Sequence, residues 1–272
     1  MKARTIAIAL LMLAGISGPG CKSHLVPESP RSPTSWSNTS EQSKGQLPEP
    51  QTVKFESADK VEIVGTLYAA KTDDSPAVLL LHQWQSDRKS FESFAARLQS
   101  RGISVLAIDG RGFGDSVKTT DGKTVTAGRD EATVKSMLAD VANAVKFLAA
   151  DKRIDASRIA IVGASYGSSL AIIYAAQNTD VRAVALLSPG INYFGSMRTE
   201  PAVRNFGDRP LLMVAADDDS ESADAVRTLK KAGGRDSYET EIYPKGGHGT
   251  ALLYAGIGLE DRLEGFLDKG LK

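Results

Sequence analysis

The sequence predicts an α/β fold, with a mostly parallel sheet covered by helices on both faces. Three observations predict it. Short apolar stretches of strand length alternate with helical stretches from about residue 51 to the end, the pattern of strand–helix–strand units joined by right-handed crossovers. Residues 77–81 (Ala-Val-Leu-Leu-Leu) form an unbroken apolar run after Pro76, as expected of a strand buried on both sides. The longest helical stretch, from about Asp130 to Asp151, places Val134, Met137, Leu138, Val141, Val145 and Leu148 on one stripe, which gives it a single face to pack on a sheet.

The other elements follow in order. Residues 61–68 alternate in the manner of a strand with one apolar side. Ser90 is placed to cap a helix carrying Phe91, Phe94 and Leu98 that stops near Arg101 and Gly102. Strands are predicted at 103–108, 158–162, 181–187, 211–215 and 238–243. Helices are predicted at 165–177, near 222–232, and at 250–267. There is no internal repeat and no sign of a second domain.

The first twenty residues do not belong to this pattern. Lys2 and Arg4 precede an apolar stretch from Ile6 to Ala14 and a run of small residues up to Gly20. This is the composition of a secretory signal, too short to span a bilayer comfortably. Cys21 follows at once and is the single cysteine of the chain. The arrangement resembles a bacterial lipoprotein signal, although Gly18 and Pro19 stand where Leu and a small residue are usual. That resemblance implies lipidation of Cys21 and an exported protein anchored in the bacterial cell envelope. Residues 21–50 are rich in Ser, Pro, Thr, Glu and Gln. They have too little apolar surface to offset the entropy of ordering, so they read as a disordered tether in which Trp36 is incidental. The domain is expected over residues 51–272.

Bulk composition removes several function classes. The 272 residues carry 33 basic and 33 acidic side chains, so no basic face points to nucleic acid. One cysteine excludes an internal disulfide and a thiolate-built metal site. The three histidines, His24, His82 and His248, show no ligand spacing.

The chemistry centres on residues 159–170, where Gly163-Ala164-Ser165-Tyr166-Gly167 lies between an apolar strand and an apolar helix. A serine on a sharp strand-to-helix turn occupies a strained backbone, and side chains two before and two after it would collide, hence glycine at both places. The helix start sets N–H groups and a positive dipole end beside Ser165. A serine hydroxyl needs a base. The one histidine downstream is His248, on the glycine-rich loop Pro244-Lys245-Gly246-Gly247-His248-Gly249 between a strand and a helix. An acid is required to orient that imidazole, and Asp217, Asp218 and Asp219 all follow the strand at 211–215.

These motifs resemble the α/β-hydrolases, and within them the compact dienelactone-hydrolase-like esterases, over about residues 60–270. The resemblance implies the α/β-hydrolase fold and the chain order Ser, acid, His. Its usual spacing from a proline to a small residue to the acid, counted from Pro210 through Ala216, implies Asp219 as the acid, with Asp218 as the alternative. Leu81-His82-Gln83-Trp84 looks like the family's oxyanion segment, with Gln83 in place of the usual glycine. It implies backbone N–H donors from Trp84 or Gln83 beside that of Tyr166. Asp109-Gly110-Arg111-Gly112-Phe113-Gly114-Asp115-Ser116 looks like a structural turn of the family, and His82 like a structural histidine. Only about twenty residues separate Leu187 from Pro210, so no full cap domain fits there. The loop at 117–129 is the segment expected to cover part of the site.

The expected activity is that of a serine hydrolase cleaving carboxylic esters, a carboxylesterase acting on a small-molecule ester. No cofactor and no metal are expected. The membrane is contacted through the lipid anchor, and nucleic acid is not a partner. The alternatives are a serine peptidase, disfavoured by the absence of a gating domain, and a non-enzymatic lipoprotein that retains the fold.

Overall fold

A computed structural model of the chain describes residues 46–272. The expected signal at 1–20, Cys21, Trp36 and the tether as far as residue 45 lie outside the described residues. In chain order the strands and helices are β1 (Gln51–Glu56), β2 (Glu62–Tyr68), β3 (Ser75–Leu81), α1 (Glu92–Ser100), β4 (Ser104–Ile108), α2 (Glu131–Ala150), β5 (Ile154–Ala164), α3 (Tyr166–Gln177), β6 (Val181–Leu187), β7 (Asn192–Tyr193), β8 (Met197–Arg198), α4 (Thr199–Asn205), β9 (Leu211–Ala216), α5 (Ser220–Gly233), β10 (Tyr238–Tyr243) and α6 (Leu259–Gly270).

Eight of the strands form one sheet in the order β1-β2-β4-β3-β5-β6-β9-β10. β2 runs antiparallel to both β1 and β4, and every pairing from β4 to β10 is parallel. Alternate residues of the central strands feed two cores. Leu79, Ile161, Leu186 and Met213 pack with α2, α3, α4 and α5 on one face. Leu80, Val162, Ala185 and Val214 pack with α1 and α6 on the other. This explains the unbroken apolar run in β3, since both of its faces are sealed. The stripe on α2 is buried as its periodicity requires, at Val134, Met137, Val141, Val145 and Leu148. Its cap is Asp130, whose carboxylate accepts from the Thr133 N–H at 3.0 Å.

Several expectations are corrected. Ser90 does not cap α1. The chain first makes a 3-10 turn at Arg88–Phe91, capped by Asp87, which accepts from the Lys89 N–H. The stretch 250–267 is two elements, a 3-10 turn at Gly249–Tyr254 and then α6, because Gly256 and Gly258 both take positive φ between them. β1 was not anticipated. It is an edge strand with only Val53 and Phe55 partly buried. Nor was the small hairpin β7–β8 that leads into α4.

All the parallel strands end at the same edge of the sheet, where ligands gather in open α/β folds. Ser165 follows β5, Asp219 lies just past β9, and His248 follows β10.

Candidate active site

Ser165 joins β5 to α3 with φ 54° and ψ −121°, a conformation that L-residues adopt only under strain. The surroundings enforce it. A Cβ at position 163 would lie 2.3 Å from the Gly167 carbonyl oxygen, and one at position 167 would lie 2.4 Å from that of Leu81. Both glycines are therefore required by backbone contacts that cannot yield. The second contact also seats the start of α3 against the end of β3, beside the Gln83–Trp84 turn. Tyr166 is the first residue of α3, so its N–H has no acceptor within the helix.

The Ser165 hydroxyl lies 2.7 Å from His248 Nε2, and His248 Nδ1 lies 2.7 Å from Asp219 Oδ2. A carboxylate can only accept, so Nδ1 carries the proton and Nε2 accepts from Ser165. Burial pushes the Asp219 carboxyl up. Hydrogen bonds from Ser222 and His248, the charge of His248 and a hydrogen bond from Ser188 outweigh this, and hold it below the ordinary carboxylate range. The three aspartates have distinct partners. Asp217 pairs with Arg227 at 2.8 Å. Asp218 accepts from the N–H groups of Gly246 (3.1 Å) and Gly247 (3.0 Å), and so anchors the loop before His248.

The chain just after His248 is fastened too. Gly249 N–H donates to Ser188 Oγ at 2.9 Å, and Thr250 N–H donates to Gln83 Oε1 at 2.7 Å. The Gln83 side chain thus ties the β3 turn to the histidine loop, a role the sequence did not suggest. Ser188 was likewise missed, although it touches both Asp219 and the Gly249 N–H.

His82 is buried. Its Nε2 accepts from Gly110 N–H at 2.9 Å, which leaves Nδ1 to donate to the Gln83 carbonyl at 2.7 Å. Burial holds its pKa down, so it is a neutral strut, as expected. Asp109 receives the Arg88 guanidinium and the N–H groups of Arg88 and Asp115, and Arg111 grips Asp140 and Asp59. Neither residue approaches Ser165 by a hydrogen bond.

An aromatic wall flanks the serine. Trp84 meets Tyr166, Phe113 and Phe194 edge-on, with ring centroids 5.3, 4.8 and 4.7 Å away. Arg129, at the end of the 117–129 loop, lies 5.2 Å above the rings of both Trp84 and Phe194. Through Arg129 the loop contacts this aromatic wall. The most consequential residue that sequence reasoning missed is Tyr193, whose hydroxyl lies 3.0 Å from Ser165 Oγ.

Comparison with solved structures agrees with this architecture. The α/β hydrolase GrgF from Penicillium sp. sh18 superposes with a TM-score of 0.69 at 16% identity, covering 82% of this chain and 99% of that one. The protein has the α/β-hydrolase fold. Dienelactone hydrolase from Anabaena variabilis ATCC 29413 shares this α/β-hydrolase architecture with a TM-score of 0.64 at 16% identity, over 84% of this chain and all of that one. The family model of the S33 serine aminopeptidases matches residues 73–206, which include Ser165 but stop before Asp219 and His248. Among curated proteins, the chain is similar to the quorum-quenching protein AidA of Acinetobacter baumannii (strain MDR-ZJ06). The two are 30% identical over 149 residues, 54% of this chain and 46% of AidA. The chain matches about half the length, or somewhat less, of such curated relatives. Among the described residues no group of histidine, cysteine and acidic side chains is arranged to hold a metal ion.

Proposed function

We propose that the protein is a serine esterase that cleaves small carboxylic esters through an acyl-enzyme on Ser165. The observation that carries this reading is the unbroken hydrogen-bond relay Asp219–His248–Ser165, with both links at 2.7 Å. Ser165 Oγ attacks the ester carbonyl carbon while its proton passes to His248 Nε2. Asp219 keeps the imidazole in the productive tautomer and stabilises the imidazolium. The negative oxygen of the tetrahedral intermediate faces the Tyr166 N–H at the positive end of α3 and an N–H of the Gln83–Trp84 turn. The alcohol leaves with the proton from Nε2, and water repeats the sequence to release the acid. Small esters are favoured because the segment between β6 and β9 is only a hairpin and the seven-residue α4, which builds no long apolar wall for a fatty chain.

The match to the S33 aminopeptidase model favours a second reading, a peptidase using the same relay. Amide and ester substrates of the same acyl group separate the two. We also propose that Cys21 carries a lipid anchor. Release of the protein into the soluble fraction by Cys21→Ser tests that.

Ser165→Ala and His248→Ala are each expected to lower turnover of p-nitrophenyl acetate by several powers of ten with unchanged circular dichroism. Near-normal hydrolysis by His248→Ala would remove the relay from the mechanism.

A further inference from the structure

We infer that Tyr193 is a catalytic residue that stabilises Ser165 Oγ as a leaving group, so that it accelerates release of the acyl group rather than its capture. The inference rests on the esterase reading above.

Proton counting fixes the direction of the contact. His248 Nδ1–H is committed to Asp219 Oδ2, so Nε2 must accept, and the single proton of Ser165 Oγ goes to it. The 3.0 Å contact between Tyr193 and Ser165 is then a phenol O–H donating to a serine oxygen. Burial pushes the Tyr193 pKa up, so the phenol keeps its proton at neutral pH.

The ring is held in place from several sides. A Cβ on Gly190 would lie 2.7–2.8 Å from Tyr193 ring carbons, so the glycine leaves room for the ring to lie against the backbone. The hairpin closes through Asn192↔Arg198 and Tyr193↔Met197. Its exit is fastened where the Thr199 N–H donates to the Ile191 carbonyl at 2.9 Å. The buried Thr199 hydroxyl also lies 2.7 Å from that of Ser169 in α3. The phenol and the nucleophile are thereby referred to the same helix.

A donor on Oγ acts differently in the two half-reactions. In acylation Oγ supplies the electron pair that forms the new C–O bond, and a hydrogen bond to it withholds that pair. In deacylation water adds to the acyl carbon and gives a proton to His248 Nε2. The C–Oγ bond then breaks with its electron pair going to Oγ. The Nε2 proton moves to Oγ while the phenol hydrogen bond stabilises the charge developing there. Tyr193 keeps its own proton throughout.

The test is stopped-flow hydrolysis of p-nitrophenyl acetate by wild type and Tyr193→Phe, with fluorophosphonate labelling and intact-protein mass in parallel. The expected result is a burst of about one nitrophenol per protein followed by a steady state about 10- to 100-fold slower than wild type, the loss of one hydrogen bond to a charged oxygen. An acetyl group should accumulate on Ser165, and labelling should be at least as fast as wild type. Equal slowing of both phases would mark a structural residue, and no change in either phase would mark a bystander. Both outcomes overturn the proposal. A wild-type protein that does not label at all overturns the esterase reading itself, and this proposal with it.

Discussion

Asp217, Asp218 and Asp219 are adjacent in the chain, yet one faces Arg227, one holds the histidine loop and one meets the imidazole. Their substitutions should therefore separate. Asp219→Asn is expected to lower turnover by about three to four powers of ten, because an amide can bond to the wrong imidazole tautomer. Asp217→Asn and Asp218→Asn should stay within about tenfold of wild type, since the first removes an exposed ion pair and the second keeps an acceptor for the loop N–H groups. Loss of activity in Asp218→Asn alone would move the acid by one residue. The Asp219 carboxyl is held below its ordinary value, and its unfolded value is about 3.9. The unfolded chain therefore binds the proton more readily. The resulting stability is present above that pH and is lost as pH falls through the folded value. Denaturation midpoints compared at neutral and acid pH should show that acid-side loss in wild type and a smaller one in Asp219→Asn.

At the scale of elements, the turn from β5 to α3 is held by contacts between backbones, so it tolerates little. Gly167→Ala would drive a methyl group into the carbonyls of Leu81 and His82. It is expected to destabilise the fold by about 3 kcal/mol, read as a lowered denaturant midpoint with the slope unchanged. An unchanged midpoint would mean that this turn has room to relax. The same turn was legible in the sequence because its requirements are local: glycine at two fixed offsets, an apolar strand before and an apolar helix after. Elements defined by long-range packing were not legible. β1 has only Val53 and Phe55 to mark it, and it is ordered by its antiparallel partner β2. The hairpin β7–β8 holds two residues per strand, and the link between Tyr193 and Ser165 spans 28 positions with no motif to announce it. Gln83 read as a departure from a family glycine. Its function, accepting from Thr250, depends on a loop 167 positions away.

For the molecule as a whole, the parallel part of the sheet brings distant pieces of chain to one edge, and two separate cores make that edge rigid. Four of the eight strands are buried along nearly their whole length, and β5 is buried over the six residues that lead into Ser165, so the positions of Ser165 and Asp219 are set by strand packing and not by loop flexibility. His248 depends instead on hydrogen bonds from both sides of its loop, to Asp218 before it and to Ser188 and Gln83 after it. Among the described residues no helix is long and apolar enough to cross a membrane. The central claim is that the relay activates Ser165. Treating wild type, Ser165→Ala and His248→Ala with a fluorophosphonate and mapping the adduct by peptide mass spectrometry tests it most directly. The account predicts a single adduct on Ser165 in wild type, none in Ser165→Ala, and labelling slowed by several powers of ten in His248→Ala. Wild-type protein that stays unmodified, or an adduct on any other residue, would contradict it.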